Sequence, residues 1–354
     1  MGLLEETLAA IGPPDEIAAA EAGRQLDSLT KPRGSLGYLE EIVRRYAAIR
    51  RDPEARIGGG ALCVFVADHG VADEGVSAYP QAVTAQMLRN IAGGGAAVSV
   101  LARRLGYRLW IADVGVAADT RGEALPGVFY RRIGAGTRNL AREPAMSVAE
   151  ARAALEVGVE VARGAVASGA TLIGIGELGI ANSTSAAALL AAFTGLRPAR
   201  LAGRGAGVDD AGMRRKVATI DRALKLHRAA LKDPLATLAA LGGFEIAAMA
   251  GACLSGAALN APVVVDGFIA TAAAVAAERL CPGLFAHLLF GHRSSEGGHG
   301  IALEQLDVRP IMDLGMRLGE GTGAALAMSV IEAALALFHE MATFESAGVS
   351  EKIG

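Results

Sequence analysis

The chain has 354 residues, of which 52% are apolar, only 4% are aromatic and 46 are glycine, with a net charge of −3. That length accommodates one large domain, or a domain with a smaller lobe, around an aliphatic core. Lys and Arg are dispersed without a basic stripe, which excludes a nucleic-acid partner; Cys63, Cys253 and Cys281 lie far apart with no C-x-x-C, which argues against a disulfide framework or a cysteine zinc site and fits a reducing cytoplasm.

The opening stretch "MGLLEETLAAIGPPDE" carries acids early and no basic n-region, so no signal peptide is expected. Residues 3–51 read as helices, interrupted by "GPP" at 12–14 and "TKPRGSLG" at 30–37. From about residue 60 short aliphatic runs take over, ending in Gly- and Asp-containing turns. They are "ALCVFVADHG" from Ala61, "RLWIADVG" from Arg108, "VFYRRIGAG" from Val128, "ATLIGIGELG" from Ala170, "APVVVDG" from Ala261 and "AHLLFGH" from Ala286. Helical spacing fills residues 147–167, 183–193, 243–259 and 269–280 between them.

Strands alternating with helices predict an α/β fold with a mostly parallel sheet flanked by helices on both faces. Ligands of such sheets sit outside the carboxyl ends of the strands, where the Asp, Glu, His and Gly residues of this chain cluster. The uncharged stretch 246–265 has the length of a membrane span. Gly251, Ser255, Gly256, Asn260 and Pro262 interrupt it, so a buried helix followed by a buried strand is expected, and no membrane partner. Beyond about residue 310 the chain reads as helix again. The expected division is a large α/β domain over 60–310 and a smaller helical domain built from both termini, 1–59 and 311–354.

Several stretches carry chemistry. "GIGELG" at 174–179 is a G-x-G-x-x-G after a strand, the pattern of a nicotinamide-dependent oxidoreductase. The acid expected about 20 residues on, for ribose hydroxyls, is missing; Arg197 and Arg200 stand there instead. Asn182, Ser183 and Thr184 are N-cap types at the start of the next helix, and a helix N-terminus with hydroxyls suits a phosphate or carboxylate, with Glu177 turned toward a ligand. The bland alternative is a tight turn with a solvated Glu177. A second glycine loop, "GRGAGVDDAGMRRK" from Gly203, leads to Lys216, a pairing that suits phosphate. Asp266 ends "VVVDG", where an acid binds ribose or caps a helix; Asp68 and His69 end "VADHG".

His287, His292, Glu296 and His299 lie in "HLLFGHRSSEGGHG", but their spacing matches no compact ligand pair, so no metal is expected. Ser294 and Ser295 read rather as anion or hydroxyl contacts. "EGVSAYPQAVTAQM" joins Ser77, Tyr79, Gln86 and Met87, as core or as a seat for a flat aromatic ligand. In "RLGEGTGAALA", Glu320 sits between Gly319 and Gly321, with Leu318 before it. A solvated surface Glu would not need glycines on both sides, whereas a backbone passing close to a ligand would.

These stretches, with "KPRGSLGYLE", "GGFEIAAMAGA", "HRSSEGGH" and "MATFESAGVS", run in order through nearly the whole chain. Together they resemble the nicotinate-nucleotide–dimethylbenzimidazole phosphoribosyltransferase family. The resemblance implies a Rossmann-like large domain, a small helical domain from both termini, a homodimer, and no cofactor or metal. It implies transfer of phosphoribose from nicotinate mononucleotide to 5,6-dimethylbenzimidazole, giving α-ribazole 5′-phosphate. By motif position Glu320 matches the general base and Glu177 the other active-site carboxylate. Gly205, Lys216, Asp266, Gly267 and Ser294 match phosphate and ribose contacts; Ser77, Tyr79, Gln86, Leu178 and Leu318 fall in or beside the base pocket. Gly179, Asn182, Ser183 and Thr184 complete the expected substrate contacts. One departure is "ELGIANSTS", where Ala181 and Ser183 replace the Gly and Thr of the family pattern.

Overall fold

The computed structural model describes residues 2–205 and 207–350. Ala206 of the second glycine loop, and residues 1 and 351–354 of the expected helical lobe, lie outside the described residues. Every aliphatic run forms a strand: β1 (Gly60–Ala67), β2 (Arg108–Gly115), β3 (Val128–Tyr130), β4 (Leu172–Leu178), β5 (Val263–Val265) and β6 (Leu288–Phe290). They form one sheet in the order β3-β2-β1-β4-β5-β6, with every neighbouring pair parallel. The order turns around between β1 and β4, which is where a doubly wound sheet opens a crevice at its carboxyl edge.

Strand periodicity divides the core. Cys63, Phe65, Ile173, Ile175, Val263 and Val265 point to one face, under the helices Val148–Ala167, Asn182–Thr194, Phe244–Ala258 and Phe268–Leu280. Leu62, Val64, Val66, Leu172, Val264 and Leu289 point to the other, under Glu16–Ser28, Tyr38–Arg50, Ala82–Ala92, Ala97–Leu105 and Thr322–Glu340. An antiparallel bridge between Leu29 and Thr343 ties the two ends of the chain.

Local chemistry sets the boundaries. Ser147 and Glu150 close a capping box on Val148–Ala167. Asp233 caps Pro234–Leu241, whose first residue is proline. Phe244–Ala258 is buried nearly end to end, and the chain turns at Asn260, which takes a left-handed φ of 52°, before entering β5. This is the break expected inside residues 246–265. Among the described residues Thr322–Glu340 is the one helix long and apolar enough to cross a membrane, but its Ala324, Ala327, Met328 and Ile331 are buried against the sheet. The run after β3 differs from expectation: it leaves the strand at Tyr130, although Arg131 and Ile133 still donate to the carbonyls of Asp113 and Val114.

Candidate active site

A cavity of about 560 Å³ opens at the carboxyl ends of β4, β5 and β6. Of the residues expected at a site, Ser77, Tyr79, Glu177, Leu178, Gly179, Asn182, Ser183, Gly205, Lys216, Asp266, Gly267, Ser294, Leu318 and Glu320 line it. Gln86 and Thr184 do not. On Ala82–Ala92, Val83 and Met87 stand one turn apart and face the cavity, which leaves Gln86 exposed. Thr184 is turned inward, fully buried, with its Oγ1 unpartnered.

Glu177 and Glu320 meet on one wall. Glu177 stands one residue before the end of β4, buried, with its Oε2 accepting from Asn182 Nδ2. Burial pushes its carboxyl up to about 8; the Asn182 bond opposes the rise, and the neighbouring acids Glu245, Asp266 and Glu320 add to it. Glu320 lies just ahead of Thr322–Glu340 with a left-handed φ of 63°, between Gly319 at 83° and Gly321 at 88°. Three left-handed residues in succession fold the chain back, and the Glu320 N–H donates to the carbonyl of Glu177 across 3.2 Å. The flanking glycines make that approach sterically possible. A Cβ on Gly319 would stand 2.5 Å from Glu177 Oε1, and one on Gly176 would run into the main-chain nitrogen of Gly321.

The Glu320 carboxylate is buried, and its Oε2 accepts from the Val98 N–H across 3.5 Å at the start of Ala97–Leu105, a helix with no side-chain cap of its own. Burial raises its pKa above the ordinary carboxylate range, and the amides of Val98 and Ala97 pull the other way. Glu320 does not cap its own helix. Asp266 does so: its Oδ1 accepts from Ala324 N across 2.8 Å and its Oδ2 from Gly321 N across 3.3 Å. Burial pushes Asp266 up to about 7 despite these bonds. Expected as a ribose contact, Asp266 lines the cavity with both oxygens already engaged in holding the Glu320 segment.

Across the cavity lies a cluster of donors around Lys216. Lys216, on Asp210–Leu226, is almost wholly buried; its Nζ donates to Ser183 Oγ across 3.0 Å and to the Gly203 carbonyl across 2.9 Å. Burial lowers the Lys216 pKa, and nearby Glu296 opposes that fall. The Gly205 N–H donates to Glu296 Oε1 at 2.7 Å, and Arg317 donates to the Gly205 carbonyl at 3.0 Å. Ser294 Oγ accepts from Glu296 N, while Ser294 N donates to His299 Nδ1. The other nitrogen, His299 Nε2, then carries the proton toward Thr271 Oγ1 at 3.0 Å, and burial drives the His299 pKa down to about 3. The helix Asn182–Thr194 has Ala181 as N-cap, at φ 73°, and no side-chain cap. Its three cap-type residues are not caps: Asn182 holds Glu177, Ser183 meets Lys216, and Thr184 is turned inward.

The glycine pattern of "GIGELG" is spent on packing. A Cβ on Gly174 would meet Leu62 and Met328, and Gly176 abuts Gly321. These glycines seat β4 against Thr322–Glu340 and do not form a dinucleotide turn. The histidine-rich stretch disperses: His287 Nε2 faces the Gly12 carbonyl, His292 lines the cavity, and His299 holds Ser294. Among the described residues no three His, Cys, Asp or Glu converge as a metal site. His69 is clamped in the interior between Ser185 Oγ at 3.0 Å and Glu245 Oε1 at 2.6 Å. Val83, His292, Glu296 and Arg317 are among the lining residues that the sequence did not place at the site, with the apolar Val76, Ile180, Phe268 and Ile269. A carboxylate followed by two glycines at 296–298, a glycine-rich setting like that of Glu320 between Gly319 and Gly321, was the available signal for Glu296.

A family model described as Phosphoribosyltransferase matches residues 11–349. The chain is 49% identical to the nicotinate-nucleotide–dimethylbenzimidazole phosphoribosyltransferase of Chloroflexus aggregans over 99% of both chains. It is likewise 49% identical to that of a Roseiflexus species, over 100% of this chain and 99% of the relative. Among solved structures it is similar to CobT from Thermus thermophilus, with a TM-score of 0.90 at 46% identity, covering 95% of this chain and 100% of that one.

Proposed function

The chain belongs to the nicotinate-nucleotide–dimethylbenzimidazole phosphoribosyltransferase family, and from that membership we propose how its cavity carries the family's reaction. The enzyme transfers the 5-phosphoribosyl group of nicotinate mononucleotide to 5,6-dimethylbenzimidazole, with inversion, releasing nicotinate and α-ribazole 5′-phosphate. Hydride transfer by a nicotinamide-dependent oxidoreductase, the other reading of "GIGELG", is set aside: the relatives that match the full chain are phosphoribosyltransferases, and the glycines serve packing.

In the donor the glycosidic nitrogen is a pyridinium, and it departs as a neutral pyridine, so the leaving group takes no proton. The incoming benzimidazole attacks C1′ of the ribose through its imine nitrogen as the C1′–pyridinium bond breaks. Its second N–H then surrenders a proton, and one base suffices. Glu320 is that base. Glu177, pushed up to about 8, stays protonated at neutral pH beside it and leaves Glu320 as the proton acceptor. Val83, Met87, Leu178 and Leu318, with Tyr79 at the mouth, form an apolar seat for the flat base. Lys216, Ser183 and Gly205, beside the uncapped Asn182 helix start, hold the 5′-phosphate.

The observation that carries this assignment is the presence, in one cavity, of three buried carboxylates with raised pKa values, Glu177, Asp266 and Glu320, and a separate donor set of buried Lys216 with half-buried Ser183 and Gly205. In the same reading the enzyme works in the cytoplasm as a homodimer, and residues 1–59 and 311–354 act as a small helical domain beside a large one of 60–310. Chromatographic product analysis with nicotinate mononucleotide and a panel of bases tests it. Equimolar nicotinate and ribosyl-base phosphate are expected; base binding without nicotinate release would make the chain a carrier.

A further inference from the structure

The anion end of the cavity already holds an acid of the protein itself. Glu296 is only 7% exposed, and its Oε1 takes the Gly205 N–H. The phosphate donors converge on that glycine: a Cβ built on Gly205 would lie 3.1 Å from Ser183 Oγ, 3.4 Å from Lys216 Nζ and 3.9 Å from Glu296 Oε1. The Lys216 ammonium donates to two neutral oxygens, and Glu296, nearby but not bonded to it, favours its charged form. A phosphate entering here needs the Gly205 N–H that Glu296 occupies. A phosphate brought up beside the Glu296 carboxylate in a largely dehydrated pocket is repelled strongly.

Glu296 also has another place to go. It lines a second cavity of about 610 Å³ that adjoins the first and carries Arg200, Arg204 and Arg317. Glu296 and Arg317 border both spaces. Arg200 and Arg204 are exposed side chains; Arg204 is engaged with Asp210 and the Val208 carbonyl, so Arg200 is the one to receive a carboxylate leaving Gly205.

We infer that Glu296 is a resident stand-in for the donor's phosphate: it holds the Gly205 loop in its anion-binding shape while the site is empty, and the arriving phosphate displaces its carboxylate toward Arg200. This rests on the reading of Lys216, Ser183 and Gly205 as the phosphate site. Donor affinity is then a competition between two anions for one N–H. A nucleoside without the phosphate cannot displace Glu296 and meets an occupied site.

The test uses inorganic phosphate as a competitive inhibitor against nicotinate mononucleotide. Glu296→Gln keeps an acceptor for Gly205 but removes the charge. Its phosphate Ki and mononucleotide KM should both fall about 10-fold, which corresponds to Glu296 holding the Gly205 position about nine times in ten in the empty enzyme. The kcat should stay within about twofold, because uniform binding does not change it. Lys216→Ala separates the two readings. A raised Ki in Lys216→Ala with an unchanged or raised Ki in Glu296→Gln keeps the phosphate site and overturns the stand-in. An unchanged Ki in Lys216→Ala removes the site and the stand-in together. If Glu296→Gln does not fold, Arg200→Ala, at an exposed position, carries the test: losing a receiving partner should raise the phosphate Ki about threefold by the same population argument, and an unchanged Ki overturns the proposal.

Discussion

The main-chain N–H of Glu320 donates to the main-chain carbonyl of Glu177 across 3.2 Å, so these two carboxylates of the cavity hang from backbones bonded to each other. One belongs to the end of a central strand and the other to the turn ahead of a long helix. The fold thus fixes the two main chains relative to each other, and the charge of Glu320 adds to the rise in the Glu177 pKa.

Glu320→Gln keeps the shape and hydrogen-bonding capacity of the side chain and removes the base. Turnover should fall by about 10²–10⁴-fold with KM nearly unchanged. The wild-type rate should fall on acidification through the raised pKa of Glu320, because the protonated acid cannot accept, and that limb should vanish in the variant. Asp266 supplies the cap of the following helix, so a variant that melts lower yet turns over normally would remove Glu320 from the chemistry.

Gly176→Ala tests whether backbone contact positions the base. The added methyl would collide with the nitrogen of Gly321 and push the Glu320 turn away from β4. A displacement of about 1 Å at a reacting group can cost about 100-fold in rate, so kcat should fall by about that factor although no side chain with chemistry is changed. Full activity with a wild-type pH profile would show that the turn tolerates the shift.

Lys216→Ala removes the point charge of the proposed phosphate site, which would act in ground and transition states alike. The KM for the mononucleotide should rise, with a smaller change in kcat, while affinity for the benzimidazole base is retained. Isothermal titration with each substrate separately reads this out.

Stability should decline with pH over an unusual range. Glu177 is raised to about 8 and Asp266 to about 7 in the fold, so between the ordinary carboxylate range and those values the native state binds more protons than the unfolded chain. The stabilisation is therefore complete in mild acid and is lost as pH rises through about 7 and 8. Melting temperatures of the wild type should drop from pH 5 to pH 8, and Glu177→Gln should flatten the drop. A wild-type melting temperature that rises over the same interval would contradict the raised values.

The strands were legible because their aliphatic runs end in Gly and Asp, and the strand ends in turn located Glu177 and Asp266; the loop of Gly205, between two helices, was legible from its own glycines. Partnerships across long sequence distance were not legible. Asp266 caps a helix that begins beyond residue 320, and His69 is held by Glu245; no local pattern announces either. Helical phase was the second limit. "VTAQM" offered Gln86 and Met87 side by side, and only the packing of Ala82–Ala92 decides that Met87 and Val83 face inward. Residue type misled at 182–184, where three cap-forming side chains follow an alanine that takes the cap position itself.

The left-handed conformation of Glu320 sets laboratory evolution at odds with activity. A non-glycine residue held there costs about 1–2 kcal/mol, and glycine adopts the same angles without that penalty. Glu320→Gly would also relieve the interior of an acid kept from water. Rounds of random mutagenesis scored only for heat tolerance should therefore enrich Glu320→Gly and deliver sturdier proteins that no longer turn over. Any campaign to harden this enzyme has to score product formation in every round, because here the stabilising substitution and the disabling one are the same.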